Sequence, residues 1–152
     1  MGKKKILLVE DNEDDILLIQ RAFLKTNLSD EFELVVAQDG NQAISYLKQN
    51  ESLSNYQQNT LPIIILLDLK LPKINGFEVL ERIRNDGKTR FIPIVVFTSS
   101  KEEKDVTKAY ALGANSYVRK PIESEKFSFT LQQIVNYWSN INELPFKNLF
   151  YT

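Results

Sequence analysis

The chain has 152 residues, 43% apolar and 26% charged, with a formal net charge of −1; this fits one globular domain with a sizeable core and supplies no basic field for nucleic acid or anionic lipid. Cysteine and histidine are both absent, which excludes disulfides, thiol chemistry, imidazole bases, and thiolate or imidazole metal sites. Any metal must therefore be held by oxygen, which suits Mg²⁺, Mn²⁺ or Ca²⁺.

A basic start, Met1 to Lys5, runs into an apolar strand over 6–9. That run is too short for a signal peptide or a membrane span, and the residues after Gly2 lack the Ser or Thr of a myristoylation signal. The protein reads as cytoplasmic. A helix over 14–26 has Leu18, Ile19, Ala22 and Phe23 on one face, and a second strand covers 32–37. Asp39-Gly40 turns into a helix carrying Ala43, Ile44 and Leu47, and the Ser-, Asn- and Gln-rich stretch 50–60 reads as a surface loop.

The run 63–67 is the most apolar of the chain, as in a strand covered on both faces. A turn with Pro72 and Gly76 leads to a helix using Val79, Leu80 and Ile83, and Pro93 opens a strand over 94–97. A helix over 102–112 ends at Gly113 as a left-handed cap, followed by a short strand over 116–118 and a final helix over 124–141. Strands alternating with single helices imply right-handed crossovers and a parallel sheet covered on both faces. The predicted fold is α/β, a flavodoxin-like doubly wound (βα)5 with strand order 2-1-3-4-5, and its ligands bind at the carboxyl ends of the strands. Residues 1–141 form this domain, and 142–152 form an apolar C-terminal extension with no separate output domain.

The strand ends carry the chemistry. Glu10 and Asp11 end the first strand, Asp68 the third, Thr98 the fourth and Lys120 the fifth, and strands 1, 3, 4 and 5 are neighbours in the predicted order. Taken singly, each is a turn, cap or solvated residue, and the acidic run through Asp14 and Asp15 would simply oppose a helix dipole. Three clustered carboxylates, however, need a proton or a cation among them. A hard divalent ion such as Mg²⁺ answers this and can bridge a carboxylate and a phosphoryl oxygen. Lys120 and the Thr98 hydroxyl can hold the other oxygens, which leaves Asp68 as nucleophile for an aspartyl phosphate.

At these residues the sequence resembles the receiver domain of two-component response regulators. The matching elements are Val9-Glu10-Asp11, Leu67-Asp68 with Pro72 and Gly76, Thr98-Ser99, Gly113-Ala114 and Lys120-Pro121, in order over nearly the whole chain. The resemblance implies that Asp68 is the phosphoacceptor and that Thr98 and Lys120 contact the phosphoryl group. It implies that Glu10, Asp11, Asp68 and the Lys70 carbonyl hold Mg²⁺ (or Mn²⁺), and that the Lys120–Pro121 peptide is cis. The phosphodonor would be a His-phosphorylated kinase, so the missing imidazole lies on the partner. Receivers also hydrolyse their own aspartyl phosphate, with Lys70 and Ser100 at positions that tune the rate. Tyr117 would be the switch residue, turning inward as Thr98 is drawn to the phosphate, with the fourth helix, fifth strand and fifth helix as the output face.

The loop before the third strand, the run Leu67 to Lys73 and the Tyr137-Trp138 helix end are similar to a narrower group, the single-domain regulators of cyanobacterial and bacterial phytochromes. That resemblance implies a light-sensing histidine kinase as donor. In the final helix Phe127, Leu131, Ile134, Val135, Trp138 and Ile141 repeat at helical spacing and read mostly as core. In the tail Leu144, Phe146, Leu149, Phe150 and Tyr151 are too apolar for a solvated end. They either fold back or dock on a second copy, and a homodimer is favoured. Rival readings are a phosphorylation-independent pseudo-receiver, opposed by the intact acid pair, and a phosphate relay or sink. A flavodoxin-like redox carrier lacks its phosphate loop here, and an aspartyl phosphatase would need an Asp where Lys70 stands. The expected protein is a phosphoacceptor that signals, not a turnover enzyme.

Overall fold

The computed structural model describes residues 2–51 and 61–144. Its strands are β1 (Lys4–Val9), β2 (Phe32–Ala37), β3 (Ile64–Leu67), β4 (Ile94–Thr98) and β5 (Ser116–Arg119). Its helices are α1 (Glu13–Lys25), α2 (Gly40–Glu51), α3 (Gly76–Asn85), α4 (Glu103–Ala111) and α5 (Ser124–Asn136). The strands form one parallel sheet in the order β2-β1-β3-β4-β5, as predicted.

The inner strands are apolar over 6–9, 64–67 and 94–97 because both of their faces are covered there, and the pleat sends alternate residues to opposite sides. Leu7, Val9, Ile65, Leu67, Ile94 and Val96 pack with Val79, Leu80 and Ile83 of α3. Ile6, Leu8, Ile64, Leu66, Val95 and Phe97 pack with α1 and α5, where Phe97 meets Phe127 edge-on at 5.3 Å. No described helix is long and apolar enough to cross a membrane.

Arg84, at the end of α3, fastens the floor of the sheet. Its guanidinium donates to the carbonyls of Gly113, Arg90 and Ile92 at 2.8 Å and to Asn115 Oδ1 at 2.7 Å. Asn115 Oδ1 also accepts from the Ile94 N–H at 2.8 Å. The starts of β4 and β5 are thereby tied together, and their far ends carry Thr98 and Lys120. Gly113 takes φ +105°, and a Cβ there would meet the Arg84 stem at 2.9 Å.

Three departures from the sequence reading concern the helices. A helical turn at Leu28–Glu31, entered through left-handed Asn27 (φ 62°), follows α1; four residues are too few to show a period. The expected last helix is α-helical only to Asn136 and then widens into a π-helical turn, Tyr137–Ile141. There the Ser139 hydroxyl donates to the Val135 carbonyl at 2.6 Å, and the Asn142 N–H donates to the Tyr137 carbonyl at 2.7 Å. A repeat of three or four residues does not distinguish this widened turn from a regular one. Trp138 packs partly against the α1 and α5 side, whereas Ile141 is 63% exposed and is not core. Third, α2 runs to Glu51, two residues into the expected loop, whose remainder, 52–60, lies outside the described residues. Leu144 is partly buried against both cores, and tail residues 145–152 lie outside the described residues.

Candidate functional site

Parallel pairing brings the carboxyl ends of the strands to one edge. The Asp68 N–H donates to the Val9 carbonyl at 3.0 Å and the Lys120 N–H to the Thr98 carbonyl at 2.8 Å, so each site residue leaves its strand in register with its neighbour. Carboxylate oxygens of Glu10, Asp11 and Asp68 lie within 4.8 Å of one another. Glu10 and Asp68 are buried and Asp11 is exposed, which opens the cluster to solvent on one side. Asp68 Oδ1 accepts from the Leu69 N–H at 2.9 Å.

Lys120 closes the other side. Its side chain is 7% exposed, and Nζ donates to Glu10 Oε1 and, at 2.7 Å, to Asp15 Oδ2. Asp68 Oδ2 is 3.8 Å from Nζ, close enough for attraction but beyond a hydrogen bond. Burial works to lower the Lys120 pKa, but the bonds from Asp15 and Glu10 and the Asp68 charge outweigh it and hold the ammonium above its ordinary value. Glu10 is pushed up to about 7, first by burial and then by the Asp68 charge, against the lowering pull of Lys120 and the Asn12 N–H.

Thr98 is fully buried, and its Oγ1 lies 3.4 Å from the Ser100 N–H. Ser100 Oγ donates to Asp105 Oδ2 at 2.6 Å, and the half-buried Tyr117 hydroxyl donates to the Ser100 carbonyl at 2.9 Å. The loop from β4 into α4 is thus held at Ser100 by residues of α4 and β5. Burial raises the Tyr117 pKa. Lys70 is exposed in the turn after Asp68. Gly76 opens α3 directly against that turn: a Cβ there would lie 2.4 Å from the Asp68 carbonyl oxygen and 2.6 Å from Leu69 Cα.

The structure therefore brings Glu10, Asp11, Asp68 and Lys120 together, ends β4 at Thr98 in register with β5, and puts Tyr117 behind the β4–α4 loop. One expectation is corrected: Lys120–Pro121 is trans, and there is no cis peptide among the described residues. A prolyl bond favours trans by about 0.5–1 kcal/mol, and Lys120 reaches its carboxylate partners without the rarer isomer. Sequence reasoning missed Asp15 as a partner of Lys120. The available signal was its phase: Asn12 caps α1 by accepting the Asp15 N–H at 3.0 Å, and Asp15 directly precedes the buried Ile16.

A doubly wound sheet with this acid cluster and a lysine at its carboxyl edge has the form of a receiver domain. Residues 6–132 match the response regulator receiver domain, and the chain belongs to that family. Response regulator Rcp1 of Synechocystis sp. is 39% identical over 142 residues, 93% of each protein. The probable methanogenesis regulatory protein FilR2 of Methanothrix harundinacea is 39% identical over 140 residues, 92% of this chain and 86% of its own length. Among solved structures, the phosphorylated cyanobacterial phytochrome response regulator RcpA superposes with a TM-score of 0.82 at 38% identity, covering 95% of this chain and 99% of its own. The Mn²⁺-bound form of Rcp1 gives a TM-score of 0.78 at 36% identity, covering 93% and 99%.

Proposed function

We propose that this response regulator accepts a phosphoryl group on Asp68 from a sensor histidine kinase of the phytochrome type, and signals by a change of shape. The observation that carries the reading is the trio of Glu10, Asp11 and Asp68 carboxylates within 4.8 Å, with the Lys120 ammonium beside them. An all-oxygen donor set of this kind fits Mg²⁺ or Mn²⁺, held by Glu10, Asp11, Asp68 and the Lys70 carbonyl, and Rcp1 has been seen with Mn²⁺. When bound, the ion supplies positive charge beside the transferring phosphoryl oxygens.

The chain's own residues do the rest. An Asp68 carboxylate oxygen bonds to phosphorus as the phosphorus–nitrogen bond of the donor imidazole breaks, its electron pair leaving with nitrogen. Lys120 exchanges a carboxylate partner for a phosphoryl oxygen, and the Thr98 hydroxyl donates to another. The product is spent by self-hydrolysis, water taking the phosphoryl group from Asp68, so the protein is a signalling acceptor and not a turnover enzyme. Residues 1–141 serve as the receiver and 142–152 as an apolar extension, acting in the cytoplasm.

The likeness to RcpA supports a phytochrome-type donor. The equal identity to FilR2 supports a second reading, in which the kinase senses something other than light. Incubation with acetyl phosphate and Mg²⁺ tests the central claim: the protein gains one acid-stable, base-labile phosphate, and chelation abolishes the gain. A wild-type protein that takes up no such phosphate overturns the proposal.

The hydroxyl bond from Tyr117 to Ser100 supports a switch through the β4–α4 loop. Tyr117→Ala is expected to take up phosphate at the wild-type rate. In wild type the phosphoryl mimic beryllofluoride is expected to change amide exchange over 99–105, and in the variant to leave it unchanged; an undiminished change in the variant counts against the switch. On α4, β5 and α5 the output face exposes Tyr110 at 49% and Phe129 at 60%, which supports pairing with a second copy. Sedimentation at several concentrations is expected to show a dimer that Phe129→Lys weakens; a monomer at every concentration excludes it.

A further inference from the structure

Lys120 has one more carboxylate partner than its proposed task requires. Three acids open α1, namely Glu13, Asp14 and Asp15. Glu13 and Asp14 are exposed, as expected of side chains that only oppose a helix dipole. Asp15 differs: its side chain is 26% exposed and its Oδ2 lies 2.7 Å from Lys120 Nζ, across 105 residues of sequence. An ammonium has three donors. Glu10 and Asp15 take two of them, while Asp68 stands off at 3.8 Å.

We propose that Asp15 is a positioning residue that parks the Lys120 ammonium on the α1 side of the site, and that this bond is given up when a phosphoryl group arrives on Asp68. The inference rests on the reading of Lys120 as a phosphoryl contact. The Lys120 side chain is little exposed and its backbone is held by the bond of its N–H to the Thr98 carbonyl at 2.8 Å, so Nζ moves by rotation of the side chain. A phosphoryl group on Asp68, whose Oδ2 already lies 3.8 Å from Nζ, adds strong acceptors that compete with Asp15 for the ammonium. The Asp15 bond stabilises only the resting arrangement, and by linkage it lowers the affinity of the site for a phosphoryl group. Asp15 thus sets how readily the protein charges and how long it stays charged, without touching the phosphate.

The probe is beryllofluoride at fixed Mg²⁺, titrated into wild type, Asp15→Asn, Asp14→Asn and Asp68→Asn, with half-saturation read by fluorescence of Trp138 or by thermal shift. Asp14→Asn removes the same charge from the same turn but no contact to Lys120. Asp15→Asn is expected to bind the probe about fivefold tighter, the scale of one partly exposed ion pair, while Asp14→Asn matches wild type. The aspartyl phosphate of Asp15→Asn should decay more slowly by a similar factor. Binding by Asp15→Asn that is equal to or weaker than wild type overturns the inference, and so does equal tightening in Asp14→Asn, which would show a long-range charge effect. Asp15→Ser is read by the same criteria should Asp15→Asn fold poorly. Failure of wild type to bind, or binding by Asp68→Asn, sinks instead the proposed phosphoacceptor role.

Discussion

Asp68→Asn is expected to take up no phosphate from acetyl phosphate and Mg²⁺, with a thermal midpoint no lower than that of wild type. Both halves follow from the same carboxylate. An amide oxygen is a far weaker nucleophile than a carboxylate, and the variant also removes one oxygen donor from the metal set, so transfer to this position is lost outright. Stability behaves differently because Asp68 sits near two other acids. Its charge helps push Glu10 up to about 7, so a neutral residue relieves repulsion between buried groups. The asparagine oxygen can still accept the Leu69 N–H that Asp68 Oδ1 takes at 2.9 Å. Phosphate uptake, measured after acid quench, and a melting curve separate the two effects. A variant that still gains base-labile phosphate would place the acceptor elsewhere, and one that melts well below wild type would make the loss a folding defect.

Gly76→Ala is expected to lower stability by about 3 kcal/mol, at the upper end of overpacking costs, or about 10 °C in melting midpoint for a chain of this size. The new Cβ would sit 2.4 Å from the Asp68 carbonyl oxygen and 2.6 Å from Leu69 Cα. Both are backbone atoms, so no side chain can swing aside. Either α3 retreats from the sheet or the turn bearing Asp68 moves. The second route displaces the carboxylate, so the phosphorylation rate should fall together with stability, and Mg²⁺ should bind more weakly. Asn75→Ala, which removes only the cap that accepts the Glu78 N–H at 3.0 Å, provides the comparison: about 1 kcal/mol lost and phosphorylation retained. Equal melting of Gly76→Ala and wild type would show that the contact relaxes without cost.

Much of this protein was legible in its residues. The apolar runs of β1, β3 and β4 and the three-to-four spacing of Ile19, Ala22 and Phe23 or of Val79, Leu80 and Ile83 mark strands and helices directly. The right-handed crossover then leaves few sheet orders, and the observed order β2-β1-β3-β4-β5 is among them. The cluster of Glu10, Asp11, Asp68 and Lys120 followed from strand ends and adjacency, because a parallel sheet delivers all of its carboxyl ends to one edge.

What escaped the sequence has a common cause. Asp15 and Lys120 meet across 105 residues, Ser100 links α4 to β5 through Asp105 and Tyr117, and Arg84 gathers three carbonyls from two segments. Each such choice depends on side-chain reach and competition among nearby acceptors, which carry no local period. The π-helical turn at Tyr137–Ile141 and the trans peptide at Lys120–Pro121 were open for a related reason, since the same residues accommodate more than one backbone course. Backbone periodicity and crossover handedness are local rules, so the sequence by itself determined the sheet and the edge where the chemistry gathers. The partner that holds Lys120 at rest was decided only by the tertiary structure, because an ammonium with three donors takes whichever acceptors the packed helices bring within reach.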